Sequence, residues 1–304
     1  MEVIDENGRE DIAKVYIARN REDDRCLIEF TEALQRPLPI QKKFMIIVST
    51  LYGCPVNCQI CDVGPYHGKL TKKEILEQID YIIERRFSDD VIRCEKLKIQ
   101  FARVGEPAFN PAVLDVLREL PERYEAEGLM PCISTIAPIN SRGFFEELIE
   151  IKNEYYTGGK FQLQFSIHTT DQKIREKIIP AKKWNFKRIS EYGERFFEDG
   201  DRKITLNFAT IKGNPIEPHV LRDNFNPEKF ILKFTPVNPT ETVKRHKLES
   251  FIDPEHPDGD ELFEKLGSYG FETILSIGDV EENEIGSNCG QLLNAVREGT
   301  NDRN

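Results

Sequence analysis

The chain has 304 residues, 39% of them hydrophobic, enough to bury the core of one large α/β unit or of two ordinary domains. Its 42 Lys and Arg stand against 53 Asp and Glu, a net charge of −11, so the surface as a whole repels polyanions and any nucleic-acid site would have to be a local basic patch. No run reaches the roughly 18 apolar residues of a membrane span, and the opening MEVIDENGRE lacks the basic start and apolar run of a secretion signal. The expectation is a cytoplasmic protein with no membrane partner, its seven cysteines reduced rather than spaced as a disulfide scaffold.

Residues 1–40 fall outside any regular alternation and read as an N-terminal extension, with no separate RNA-binding domain. From there, strand-like apolar runs at 43–50, 96–103, 131–137, 160–168, 203–211 and 229–237 are separated mostly by amphipathic helical stretches. Thr71 and Glu74 in TKKEILEQIDYIIERRF form a capping-box pattern, FFEELIEIKNEYY (144–156) has the spacing of a helix lying on a sheet, and the helical interval from Asp171 to Asp199 is broken at Pro180. Repeated β-then-α units without a sequence repeat predict an α/β fold: a parallel sheet curled into a partial (β/α)6 TIM-like barrel over 41–292, with function on the loops after each strand. A doubly wound open sheet is the structural alternative. HPDGDE (256–261) reads as a turn feeding a helix, and 293–304 as a flexible tail.

Directly after the first of these strands, LYGCPVNCQICDVG carries Cys54, Cys58 and Cys61, three cysteines in eight positions with no fourth nearby. Three thiolates on one short loop can hold three irons of a [4Fe–4S] cube and leave the fourth open to a small molecule. The alternatives are a zinc ion completed by a distant residue such as His67, although zinc loops usually come as paired C-x2-C halves, or three unligated core cysteines. After the second strand, RVGEPAFNP contains Gly105, Glu106 and Pro107, by itself an ordinary turn.

This order of elements resembles the radical S-adenosylmethionine (SAM) superfamily, and within it the RlmN/Cfr-type (class A) adenine C-methyltransferases. The resemblance covers roughly residues 43 to 292. It implies a [4Fe–4S] cluster on Cys54, Cys58 and Cys61, SAM on the open iron, and Gly105, Glu106 and Pro107 around the SAM amino group. The family's STSG segment is matched at CISTIAP by Ser134, and its SLHA…R…I-P pattern at SIHTTDQKIREKIIPAKKW by Ser166, Ile167, His168, Arg175 and Pro180. Its PWNP is matched at TPVNP by Asn238, and its Cys-Gly-Gln-Leu segment at SNCGQL by Cys289. The resemblance implies SAM contacts for Ser134, Ser166, Ile167, His168 and Asn238, and a methyl-carrier role for Cys289, where the bland reading is a buried free thiol. It also implies an electron donor such as flavodoxin or ferredoxin and allows an RNA substrate.

The chain departs from that family at two positions. The family's second cysteine, seven residues before the first cluster cysteine, is Ile47 here, and its proton-accepting Glu before VYIP is Ala13 in IAKVYIA. An apolar side chain can neither attack sulfur nor take a proton, so altered chemistry is expected. One alternative is a radical enzyme that does not methylate, with Cys289 as hydrogen donor or covalent site. The other is a degenerate, non-catalytic metal-binding module. Cys26 is the candidate for a relocated partner of Cys289, while Cys94 and Cys132 read as core. The basic clusters PAKKWNFKR (180–188) and TVKRHK (242–247) offer a patch near the functional face, with Trp184 available to stack on a base.

Overall fold

The computed structural model describes residues 1–20, 26–87, 92–253, 260–279 and 281–292; the turn expected at 256–259 and the tail 293–304 lie outside the described residues. The chain opens with three strands, β1 (Glu2–Arg9), β2 (Ala13–Arg19) and β3 (Leu27–Leu34), and continues into β4 (Phe44–Val48). A small hairpin, β5 (Leu51–Tyr52) with β6 (Gly68–Lys69), brackets the three-cysteine loop. There follow α1 (Lys72–Arg86), β7 (Leu97–Phe101), a 3-10 turn (Pro107–Phe109), α2 (Ala112–Arg123), β8 (Leu129–Thr135), α3 (Arg142–Tyr155), β9 (Gln162–Ser166), α4 (Gln172–Ile178) and α5 (Phe186–Phe196). The chain then runs through β10 (Ile204–Ala209), α6 (Pro218–Asn224), β11 (Phe230–Thr235), α7 (Glu241–Arg245), α8 (Asp260–Ser268), β12 (Thr273–Leu275) and α9 (Glu281–Ile285).

All strands but the hairpin join one ten-stranded sheet in the order β1-β2-β3-β4-β7-β8-β9-β10-β11-β12. The seven from β4 to β12 are mutually parallel, while β1 to β4 are antiparallel neighbours. The six expected strands are present, and β12 is a seventh that the sequence did not announce, being only three residues long. The first forty residues are more than an extension outside the alternation, because three strands of the same sheet lie there. Among the described residues the sheet is not closed: its edges are β1 and β12.

Strand alternation sends one side chain in two to each face. Phe44, Ile46, Val48, Leu97, Ile99, Phe101, Phe165, Leu206, Phe208 and Phe234 are fully buried and join Ile75, Ile79 and Ile82 of α1 and their counterparts on the other helices in one continuous core. Each such side chain contributes about 1.5–3 kcal/mol by leaving water. Helix α1 starts where expected: Thr71 accepts from the Glu74 N–H, and the Glu74 carboxylate reaches back to the Thr71 N–H. Asp171 caps α4 and Asn185 caps α5, and the expected break at Pro180 falls between the two helices.

The sheet curls. Lys98 on β7 and Lys233 on β11 are four strands apart, about 19 Å along a flat sheet, yet after burial the charge of Lys98 is the next cause that lowers the pKa of Lys233. The face that carries both is therefore concave, with the loops after the strands at one rim.

Candidate active site

The three-cysteine loop is folded by its own backbone and tied to its surroundings. The Cys54 N–H donates to Gly64 O at 3.0 Å, Cys61 N–H to Cys58 O at 3.3 Å, and Gln59 N–H to Ile178 O at 2.9 Å. Asn57 takes a left-handed φ of 56° at the turn. Val56, Ile136, Ile178, Ile179 and Ile211 form an apolar bed on which Cys54, Cys58 and Ile60 rest. Burial pushes the thiols up, Cys54 to about 11, Cys61 to about 12, and Cys58 well above its ordinary value with Cys61 and Cys54 adding to the effect. Such thiols ionise only against a strong local positive charge, which bound iron would supply.

The donor set is three thiols on one loop, of the kind a cubane takes on separate irons. His67, the zinc alternative's fourth ligand, is an exposed residue beside β6.

Loops after the neighbouring strands complete the rim. Gly105 has a φ of 99°, and a Cβ there would meet Leu51 at 2.5 Å, so only glycine permits this approach to β5. The buried Glu106 carboxylate accepts from the Ala108 N–H at 3.1 Å, the Ile136 N–H at 2.9 Å and the Thr135 hydroxyl, locking the Gly-Glu-Pro turn to the end of β8. Burial pushes its pKa up to about 7 against those hydrogen bonds. Ser134 and Ser166 are half-buried near the ends of β8 and β9, Ser134 beside the Gln100 amide at 3.5 Å, while Ile167 is buried. His168 has a left-handed φ of 64° and accepts the Ala209 N–H on Nδ1 at 3.0 Å, which leaves the proton on Nε2. Burial, helped by the Arg175 charge, pushes its pKa down to about 4, so the ring is neutral near pH 7. Arg175 is fully buried and donates to Trp184 O at 2.7 Å and Ser166 O at 3.3 Å, fastening the chain after β9.

The segment bearing Cys289 is strapped onto this rim. Arg103, two residues before the Gly-Glu-Pro turn, donates to the carbonyls of Gly286 at 2.8 Å, Ser287 at 3.1 Å and Asn288 at 3.2 Å, and is itself held by the buried Glu29 carboxylate at 2.5 Å. The Asn238 amide donates to Cys289 O at 2.8 Å, and the Asp62 N–H, next to Cys61, donates to Gly290 O at 2.8 Å. Asp62 also accepts the first N–H groups of α7, from Glu241 at 3.0 Å and Thr242 at 2.8 Å. Cys289 remains accessible to solvent. The surrounding protein still pushes its thiol up, opposed by the charges of Arg103 and Lys233.

Comparison with protein-family models finds no match. A protein of Prochlorococcus marinus (strain MIT 9515) named "Probable dual-specificity RNA methyltransferase RlmN" is 29% identical over 180 residues, 58% of this chain and 49% of that protein. A second, named "Probable dual-specificity RNA methyltransferase RlmN 2", from Protochlamydia amoebophila (strain UWE25), is 27% identical over 266 residues, 84% of this chain and 68% of that protein. By sequence the chain is RlmN-like. It spans about half the length of the first relatives it matches. Among solved structures, a mutant spore photoproduct lyase aligns with a TM-score of 0.45 and 11% identity over 71% of this chain and 69% of that one.

The fold brings Cys54, Cys58, Cys61, the 105–107 turn, Ser134, Ser166, His168, Asn238 and Cys289 to the end of the sheet where the strands from β4 to β11 finish. Ile47 lies half-buried on the concave side of β4, paired with Thr31 and Gln100, and Ala13 is buried in a satellite cluster with Val15, Ile17, Ala33 and Ile285. Cys26 is not beside Cys289: it sits in the helix-side core with Ile28 and Phe30, because it shares their parity along the strand. Trp184 is not free to stack on a base, being 3% exposed and packed against Phe145 and Tyr192. Cys94 and Cys132 are both buried as expected, Cys132 on the concave face, where the Gln164 amide donates to its sulfur at 2.7 Å. Sequence reading passed over Arg103, Glu29 and Asp62; the closeness of Arg103 to the Gly-Glu-Pro turn and of Asp62 to Cys61 was the available signal.

Proposed function

We propose that this chain is a radical SAM enzyme in which Cys54, Cys58 and Cys61 hold a [4Fe–4S] cluster and Gly105, Glu106, Pro107, Ser134, Ser166, Ile167 and His168 line the SAM site. When bound, the cluster supplies the electron that splits SAM into methionine and a 5′-deoxyadenosyl radical, with a small electron-transfer protein such as flavodoxin or ferredoxin as its source. Residues 41–292 carry this core. The protein's own part is to keep water from the apolar bed around the thiols, to seat SAM against the Glu106 turn, and to offer the neutral His168 Nε2–H as a donor.

One observation carries the role of Cys289 as methyl acceptor: its peptide is bonded to the cysteine loop through Asp62 and Gly290 and steadied by Arg103 and Asn238. A thiol held there can take a methyl from SAM by displacement, forming a thioether and S-adenosylhomocysteine as its proton leaves. A second reading is favoured by Ile47 and Ala13, whose own side chains supply neither the nucleophile nor the base that would finish a methylation cycle. There Cys289 donates a hydrogen atom or binds an intermediate covalently.

The test is mass spectrometry of the Cys289 peptide after anaerobic reconstitution and incubation with SAM and reductant, with both SAM products quantified. A 14-dalton gain on Cys289 with S-adenosylhomocysteine formed, about one methyl per chain, is the expected result. Unmodified Cys289 with 5′-deoxyadenosine as sole product selects the second reading. No cleavage of SAM overturns both.

A further inference from the structure

The concave face has the wrong chemistry for a packed barrel interior. Parallel barrels fill their centres with branched apolar side chains, whereas here β7 to β11 present Gln100, Gln162, Gln164, Thr205 and Asn207 inward, tied by bonds such as Asn207 Nδ2 to Gln164 Oε1 at 3.0 Å. Among the described residues the Asn207 side-chain oxygen is buried without a partner. Below this polar layer, toward the strand starts, three lysines lie together, Lys43 before β4, Lys96 before β7 and Lys98 as the second residue of β7. A fourth, Lys233, stands above them on β11, level with Asn207. Lys96, Lys98 and Arg202 act on Lys43, and Lys98 and Lys43 act on Lys233, each neighbour disfavouring the other's charge.

Lys98 is 9% exposed, and Lys43, Lys96 and Lys233 are half-buried. Among the described residues, Lys96, Lys98 and Lys233 meet no carboxylate, and Lys43 bonds only the Gln35 side-chain oxygen. Buried cations are normally paired, because gathering like charges away from water is costly. A chain with 53 Asp and Glu places none of the described ones here. Burial and repulsion push Lys43 and Lys233 down to about 8, the expected signature of a site lacking its counter-ion.

We infer that the concave face binds the anionic end, carboxylate or phosphate, of a small-molecule substrate between Lys98 at its floor and Lys233 above, with Lys43 and Lys96 behind Lys98. This rests on the radical SAM reading for the direction in which the rest of the substrate points. From Lys43 to the end of β4 is five residues, roughly 16 Å at 3.3 Å per residue, so a molecule anchored at the floor extends toward the rim that carries the cysteine loop. RNA does not suit this arrangement. A nucleotide flipped from a polymer enters base first and leaves its phosphates outside, whereas Lys43, Lys96 and Lys98 lie at the far end.

The test uses the reconstituted holoenzyme and two probes, inorganic phosphate and glutarate, titrated at 0.15 M ionic strength and followed by calorimetry and Tm. Saturable binding of either, weakened tenfold or more by both Lys98→Met and Lys233→Met but not by Lys187→Met on the exposed face of α5, is expected; the stronger probe identifies the anion. Without ligand, Lys98→Met and Lys233→Met should raise Tm, since they relieve repulsion, whereas a merely structural lysine would lower it. Absence of saturable binding, binding indifferent to both substitutions, or loss only of affinity for a short single-stranded RNA overturns the inference. Wild-type 5′-deoxyadenosine formation is measured in parallel. Anion binding without SAM cleavage sinks the enzymatic reading and leaves the anion site standing, and cleavage without anion binding does the reverse.

Discussion

Lys98 and Ile99 are neighbours on β7 and live in opposite worlds. Ile99 is fully buried among the helices, while Lys98 faces the concave side among other cations. The helix side is held by apolar area and tolerates no gap, as close-packed interiors do not. The concave side is held by directed polar contacts and accepts unfavourable charge. One sheet thus divides stability and chemistry between its two faces.

The sharpest way to break this division is Arg103→Met. It would leave the buried Glu29 carboxylate without its main described cation and the 286–288 carbonyls without their donor, at a cost of about 3–5 kcal/mol. Equilibrium denaturation should show that loss together with faster alkylation of Cys289. On the helix side Ile99→Ala should cost about 2–5 kcal/mol, read by the same denaturation. The adjacent Lys98→Met moves stability the other way, and equal signs for the two would erase the contrast.

A smaller and pH-dependent effect belongs to Glu106. Its folded pKa is pushed by burial up to about 7, from an ordinary value of 4.5, so the folded protein holds a proton that the unfolded chain releases between those values. Its contribution is therefore full below about pH 4.5 and is lost as pH rises through about 7, at most about 3 kcal/mol in all. Denaturation of the metal-free protein across that window should slope downward with pH, and Glu106→Gln should flatten the slope.

Much of this was legible in the sequence. The six β/α units showed because a strand buried under helices needs an apolar run and a surface helix needs 3.6-residue spacing. The cysteine loop and the Gly-Glu-Pro turn showed because their chemistry is local. What stayed hidden depends on distant parts meeting. The first three strands alternate too irregularly to announce themselves, with Glu29 and Glu32 buried on β3 by pairing with Arg103 and Arg86. Trp184 reads as an exposed aromatic in a basic stretch until α3 and α5 close around it. The lysine cluster draws on residues 43, 96, 98 and 233, which no sequence window unites.

The strap over the rim also sets how the protein ages. Five hydrogen bonds hold residues 286–290 against Arg103, Asn238 and Asp62, and at about 1 kcal/mol each they keep this segment open in only roughly one molecule in several thousand. Cys54, Cys58 and Cys61 are half-buried beside it, so each opening widens an oxidant's access to them. The half-life of the site in air then depends in part on a local unfolding equilibrium, and hydrogen exchange at the Asp62 amide would report it.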